Sequence, residues 1–254
     1  MYHMARIAVF DSGLGSLSII KEIQAAGKSE IIYFGDQANF PYGNKTKPQL
    51  EKIIKKTIKK LKENFSPDLI VVGSNTPTVM LDIRERNVIG IRPPIIDAKR
   101  KSKTKNIGIL GTESAIRSRG LFRYIKNLNI NPDIKIYKIN GSPLVELVES
   151  GKFLTNKQLC KKRIKKTLED TATENNIDVI TLSSTHLPFL RDMMEMEFPN
   201  ITFIDPAKSI ARQIHEKIKH ESKKNQLKIF CSGDLKKFQR NLRKLGITNR
   251  VRLL

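Results

Sequence analysis

The sequence predicts an α/β fold: two similar doubly wound parallel-sheet domains with the active site in the cleft between them. Three observations predict it. Short apolar runs alternate with helical spacings along the whole chain, the pattern of parallel strands joined by crossover helices. Two runs, Leu69-Ile70-Val71-Val72 and Val179-Ile180-Thr181-Leu182, are continuous, as strands covered on both faces are. Each empties into small hydroxyl side chains, Ser74-Asn75-Thr76 and Ser183-Ser184-Thr185-His186, at the strand ends where open α/β sheets take their ligands. The two ends are expected to face one cleft.

Taken in order, Ile7 to Phe10 is a strand that ends in Asp11-Ser12-Gly13-Leu14-Gly15-Ser16. Leu17, Ile20 and Ile23 give helical spacing up to Ala26, and Gly27 is expected to cap the end. The start of that helix should present unbonded N–H groups to an anion. A dinucleotide fingerprint would need a third glycine where Ser18 stands, so this is no cofactor motif. Ile31 to Phe34 is the next strand, followed by a loop rich in Asp, Asn, Pro and Gly from Gly35 to Gly43. From Thr46 a long helix sets Leu50, Ile53, Ile54, Ile58, Leu61 and Phe65 on one face and lysines opposite.

After Met80 a helix is expected to lead to a strand at Val88 to Ile91. The basic stretch from Asp97 to Lys105 reads as a domain boundary. The pattern then restarts: strand Ile107 to Leu110, helix Ala115 to Asn127, strand Ile134 to Tyr137, and helices from Ser142 and Leu159. Beyond the strand at Val179 come a helix from Leu190, a strand at Ile201 to Ile204, a helix through Ile210 to Ile218, a strand at Lys228 to Cys231, and a last helix from Leu235. The expected domains are 1–97 joined by 206–254, and 98–205.

Composition narrows the function. The 254 residues are 39% hydrophobic and carry no apolar run approaching the roughly 18 residues of a membrane span. The first six residues lack signal-peptide architecture, and Cys160 and Cys231 make no metal or redox spacing, so a cytoplasmic protein with reduced thiols is expected. Four histidines, His3, His186, His215 and His220, are scattered, and no metal site is expected. The net charge of +22 is spread over several helices among core isoleucines, with few aromatic residues beside it. Stacking platforms for single strands are therefore missing. Non-specific nucleic-acid binding at low salt is expected, and a dedicated nucleic-acid partner is not. Four strand ends rich in small donors suit a small anionic ligand such as an acidic amino acid.

At these same stretches the sequence resembles the glutamate racemase family. Ile7 to Leu17 is similar to the family's opening signature, and Tyr33-Phe34-Gly35-Asp36 with Pro41-Tyr42-Gly43 is a more specific match. Ile70 to Thr76, Ile107 to Ser118, Ser142 to Gly151, Leu182 to Leu190 and Ser232-Gly233-Asp234 follow in the family's order. The resemblance implies two α/β domains and cofactor-independent exchange of L- and D-glutamate for peptidoglycan, with no cofactor. Two cysteines on opposite faces of the substrate would take and give the Cα proton. Ser12, Pro41, Tyr42, Gly43, Asn75, Thr76, Thr112 and Thr185 would hold the substrate, together with Asp11 and His186, which would also assist proton transfer. Glu149 matches a family carboxylate near the second base.

The family's two cysteines fall here on Ser74 and Ser184. A cysteine, with a free pKa of about 8.5, is readily tuned into a working range, whereas a serine alcohol needs an activating partner. The expectation is a kept binding cleft with weak or absent racemisation. Cys160 and Cys231 lie outside the motifs and are not expected to substitute. One alternative is a non-catalytic dicarboxylate-binding homologue whose basic surface meets nucleic acid or an acidic protein. Another is a nucleophilic enzyme using Ser184 or Ser74 with His186, but no acid partner and no G-x-S-x-G motif is evident. Bland readings stand beside these: Ser74 and Ser184 as helix caps, Asp36 as a turn former, Glu149 as a solvated residue. Oligomeric state is open, with a homodimer among the alternatives.

Overall fold

In a computed structural model, residues 5–81, 83, 85–218 and 224–254 are described; His3 and His220 lie outside them. The chain opens with β1 (Arg6–Asp11), α1 (Leu17–Ala26), β2 (Glu30–Gly35), α2 (Lys47–Phe65), β3 (Leu69–Val72), α3 (Asn75–Met80) and β4 (Val88–Gly90). It continues through α4 (Ile95–Lys101), β5 (Asn106–Gly111), α5 (Glu113–Ile116), α6 (Arg119–Asn127), β6 (Lys135–Asn140), α7 (Ser142–Glu149), α8 (Lys152–Thr155) and α9 (Lys157–Glu174). Then come β7 (Val179–Ser183), α10 (Arg191–Glu197), β8 (Thr202–Ile204), α11 (Ala207–Lys217), β9 (Gln226–Cys231), α12 (Leu235–Lys244) and β10 (Val251–Leu253).

Two compact units result, one of residues 1–91 with 207–254 and one of residues 92–206. The first holds a six-stranded sheet in the order β10-β9-β2-β1-β3-β4, the second a four-stranded sheet in the order β6-β5-β7-β8. Every pairing is parallel. The two parallel α/β domains read from the sequence are therefore present. The basic stretch from Asp97 forms the end of α4 and the turn before β5.

Burial follows the patterning. All four residues of β3 and all five of β7 are buried, as continuous apolar runs require when both faces are covered. Helix α2 starts in a capping box, in which the Thr46 hydroxyl and the Gln49 side chain satisfy each other's backbone N–H groups. Its apolar stripe, Leu50, Ile54, Ile58 and Leu61, packs on Phe10, Ile32, Ile70 and Val72 of the sheet. Deleting one of these buried leucines would cost about 2–5 kcal/mol. At the amino ends of the central strands Glu30 is buried between Arg6 Nε, at 2.5 Å, and Lys228 Nζ. Burial pushes its carboxyl up, but the bonds from Lys228 and Arg6 outweigh that and hold it below the usual range.

Several local expectations change. The first amides of α1 are not open to an anion: Leu17, Ser18 and Ile19 N–H donate to the carbonyls of Leu14, Gly15 and Ser16, because the preceding turn is already wound. Gly27 does end α1, but in an extended conformation that any residue adopts. Space is what demands glycine there, since a Cβ would fall 2.4 Å from Cε1 of His215 on α11. The helix expected between Met80 and Val88 is not found among the described residues: α3 spans Asn75–Met80, before that point, and Leu81 is extended; residues 82 and 84 lie outside the described set. The single helix expected over 115–127 is broken into α5 and α6. Ser118 sits extended between them, its hydroxyl accepting from Leu121 N–H at 3.0 Å, which starts a new helix. The chain does not finish on a helix, for β10 adds a parallel strand to β9.

Two outcomes test this account. Gly27→Ala should cost about 1–3 kcal/mol in urea unfolding, and most of that cost should vanish in a His215→Ala background; an unchanged cost would remove the ring as its cause. Glu30→Gln should destabilise by about 1–3 kcal/mol at about pH 7. A depressed folded pKa gives stability that is present above the unfolded value and lost as pH falls through the folded one. The gap between the two proteins should therefore close toward about pH 3, and a gap that widened there would refute the sign.

Candidate functional site

In the first unit the carboxyl ends of β2, β1 and β3 lie side by side, because the strands are parallel and in register from Arg6 to Asp11. Asp11, 1% exposed, closes β1, and its Oδ1 accepts the Ser12 N–H at 2.7 Å. The Ser16 hydroxyl donates to the Gly73 carbonyl at 2.7 Å and lies 3.2 Å from Asp11 Oδ2. That approach is why residue 73 has no side chain: a Cβ would stand 2.1 Å from Ser16 Oγ. The turn carrying Ser74 is thereby pinned to Asp11.

Ser74 is half-buried at the N-cap of α3, yet its hydroxyl makes no capping bond, so the helix-cap reading does not describe it. Asn75 and Thr76 follow, 3% and 5% exposed. Both polar side-chain atoms of Asn75 are buried without a hydrogen-bond partner among the described residues. Ser12 is held from two sides: its carbonyl accepts from Gln37 Nε2 at 2.7 Å and its hydroxyl accepts the Tyr42 N–H at 3.4 Å. Pro41 and Gly43 flank Tyr42 and are half-buried.

Tyr42 is placed by Asp36, a carboxylate of the family motif whose bland reading is a turn former. Asp36 is 2% exposed and accepts from Tyr42 Oη at 2.9 Å, from Ser232 Oγ at 2.8 Å, and from Asn39 Nδ2 with both oxygens. Burial first, then the Asp36 and Asp11 charges, push the Tyr42 hydroxyl well above its ordinary pKa. The phenol stays protonated and donating. Its motif position gave the signal in the sequence for Tyr42; the motif also named Ser232, but nothing local tied it to Asp36.

In the second unit β5 and β7 end together at Gly111 and Ser183. Ser184, Thr185 and His186 follow β7, all buried. Ser184 Oγ lies 3.4 Å from His186 Nδ1, and the other ring nitrogen, Nε2, pairs with Glu149 Oε1. Glu149 closes α7 with a side chain only 14% exposed, which overturns its reading as a solvated residue. The acid partner for His186 that was not evident in the sequence is this one. Thr112, half-buried, caps no amide of α5 with its side chain and has its Oγ1 3.4 Å from Ser114 Oγ.

Each unit thus gathers its own share of the expected residues: Asp11, Ser12, Pro41, Tyr42, Gly43, Ser74, Asn75 and Thr76 in one, Thr112, Glu149, Ser184, Thr185 and His186 in the other. Cys160 is buried in α9 and Cys231 at the end of β9, and burial pushes both thiols up, away from the reactive thiolate form. Among the described residues no three His, Cys, Asp or Glu side chains are grouped to hold a metal ion, and no helix is long and apolar enough to cross a membrane.

A family model for Asp/Glu/hydantoin racemases matches residues 15–214. The chain is 31% identical to a glutamate racemase of Sulfurihydrogenibium over 92% of its length and 91% of the relative's. This chain belongs to the glutamate racemase family. It is also 32% identical to the glutamate racemase of Limosilactobacillus reuteri, over 91% of this chain and 88% of that one. Among solved structures, a glutamate racemase isoform from Bacillus anthracis superposes with a TM-score of 0.85 at 26% identity, covering 98% and 97% of the two chains. The glutamate racemase of Thermus thermophilus shares the fold at 22% identity, with a TM-score of 0.83 over 100% and 98% of the two chains.

The support of Tyr42 is testable on its own. Tyr42→Phe and Asp36→Asn should each cost about 1–3 kcal/mol in urea unfolding, and the double variant should cost clearly less than their sum. Strict additivity would show that the two side chains act independently.

Proposed function

We propose that this chain binds glutamate and racemises it weakly or not at all. Asn75 carries the binding half of this reading. A buried amide without a partner costs about 1–3 kcal/mol, and native proteins keep such groups where something outside the fold satisfies them. An amino-acid substrate does so: its carboxylate accepts from Nδ2 and its ammonium donates to Oδ1. The buried Asn75, Thr76, Ser12 and Asp11 at adjoining strand ends, and relatives about 30% identical that carry the name glutamate racemase, support glutamate as that ligand. By the family's pattern Pro41, Gly43, Thr112 and Thr185 complete the binding set, and Tyr42 shapes it through its backbone because its hydroxyl is committed to Asp36. By the family's pattern the reaction needs no cofactor. The chain works in the cytoplasm on the glutamate pool from which peptidoglycan draws its D-isomer.

The catalytic half turns on Ser74 and Ser184, which stand where the family uses cysteines. Racemisation takes a proton from one face of Cα and returns one to the other, so each face needs a group able to carry it. Ser184 has such support: His186 can hold its proton, and Glu149 on the far ring nitrogen stabilises the imidazolium. Among the described residues the Ser74 hydroxyl has no titratable neighbour at hydrogen-bond distance, only Asp11 beyond the Gly73 turn. An unassisted alcohol is too weak an acid and base for this step. Proton traffic is therefore confined to the His186 face.

The test is Cα–H exchange of L- and D-glutamate in deuterium oxide, with a Ser74→Cys/Ser184→Cys variant in parallel. The expected result is exchange of one enantiomer with retention, or none, and racemisation at least about 100-fold faster in the double variant. Racemisation by the unaltered chain at the variant's rate would sink the claim that serine disables the site. Failure of calorimetry to detect glutamate binding by either protein would remove glutamate as the ligand.

A further inference from the structure

A second recess opens in the first unit, outside the residues assigned to glutamate. It is a cavity of about 340 Å³, bounded by Phe34, Asp36, Asn39 and Ser232 on one side and by α2 on the other. Three lysines of α2 line it: Lys52, Lys56 and Lys60. Their spacing of four residues puts them in one row, about 6 Å apart along the helix and about 12 Å from first to last.

Three of the four other lysines of the same helix have carboxylate partners. Lys55 pairs with Glu51, Lys59 with Glu63 and Lys62 with Glu85. None of Lys52, Lys56 and Lys60 has a carboxylate partner among the described residues. Lys60 is half-buried, with its ammonium 5.6 Å from the centre of the Phe34 ring. The one carboxylate in the wall, Asp36, is already taken up by Tyr42, Asn39 and Ser232. Thr57, 5% exposed, lines the same recess between Lys56 and Lys60 and adds a hydroxyl. The ammonium groups outnumber the carboxylate, and they stand at the carboxyl ends of β2 and β9, where α/β sheets take ligands.

We propose that this recess is a binding site for a small linear oligophosphate, a di- or triphosphate group. Three lysines on one helix face, on flexible stems that let their ammonium groups converge, suit an extended chain of phosphates better than a single tetrahedral anion, and lysine binds phosphate as a compact cation. The volume admits a small molecule rather than a duplex. The phosphates come either as free inorganic chains or as the tail of a nucleotide.

The experiment is calorimetric titration of the full chain with orthophosphate, pyrophosphate, tripolyphosphate and ATP at fixed ionic strength. Two variants with the same loss of charge are compared: Lys52→Gln/Lys56→Gln/Lys60→Gln, and Lys55→Gln/Lys59→Gln/Lys62→Gln on the rest of the helix. Affinity should rise from orthophosphate to tripolyphosphate, fall at least about tenfold in the first variant, and change by less than about threefold in the second. ATP binding tighter than tripolyphosphate would support the site with a nucleotide as its source; weaker binding would support the free chain. Equal losses in the two variants would make the attraction a diffuse surface field and overturn the proposal, as would absence of saturable binding. A single-stranded oligonucleotide held more tightly than tripolyphosphate, and weakened alike by both variants, would overturn it in favour of a nucleic-acid face.

Discussion

The parallel register of the strands is the constraint on which the rest depends. Because β1, β2 and β3 run the same way and are hydrogen-bonded from Arg6 to Asp11, their carboxyl ends emerge on one edge. Asp11, Gly35 and Gly73 are therefore neighbours despite lying far apart in sequence. A backbone bond from Asp36 N–H to the Asp11 carbonyl and another from Gly73 N–H to the Phe10 carbonyl, each 2.7 Å, carry the ladder just beyond the strands. The polar side chains that follow are thus aimed by rigid elements, which is how a site gains precision.

Each unit then adds a carboxylate, buried in the first and part-buried in the second, that orients a ring. In the first, Asp36 holds the Tyr42 phenol while Ser232 and Asn39 occupy its remaining lone pairs. In the second, Glu149 holds the His186 imidazole, whose other nitrogen lies toward Ser184. The logic is the same, since a buried charge is tolerable only when it is fully hydrogen-bonded, and satisfying it fixes its partners. The chemical consequences differ. A phenol bound to a carboxylate remains a donor, whereas an imidazole bound to one can gain and release a proton.

The surface charge divides along similar lines. Most ion pairs on α2 are exposed i,i+4 pairs, of the kind that contributes about 0.3–0.5 kcal/mol each and serves solubility more than stability. The row Lys52, Lys56 and Lys60 has no such partners among the described residues and faces a recess. A uniform count of lysines conceals this difference.

Local pattern determined a great deal. The fold class, the strand ends at Asp11, Ser74 and Ser184, and the apolar stripe of α2 could be read from residue spacing, because period and burial are set by neighbours within a turn or a strand. The serines at 74 and 184 were plain from the sequence, and so was the family's motif order. Tertiary structure alone decided the rest. The Glu149–His186 pair spans 37 residues and the Ser232–Asp36 bond spans 196, and no local rule couples positions so distant. The three-residue β10 carries a single buried side chain, too little for alternation to register, and exists because β9 offers it a ladder. Gly27 looked like a conformational cap and is a steric one, since the ring it makes room for comes from α11 at the far end of the chain. Spacing reports what a segment does to itself; which distant group satisfies a buried charge or fills a gap is settled only when the segments pack.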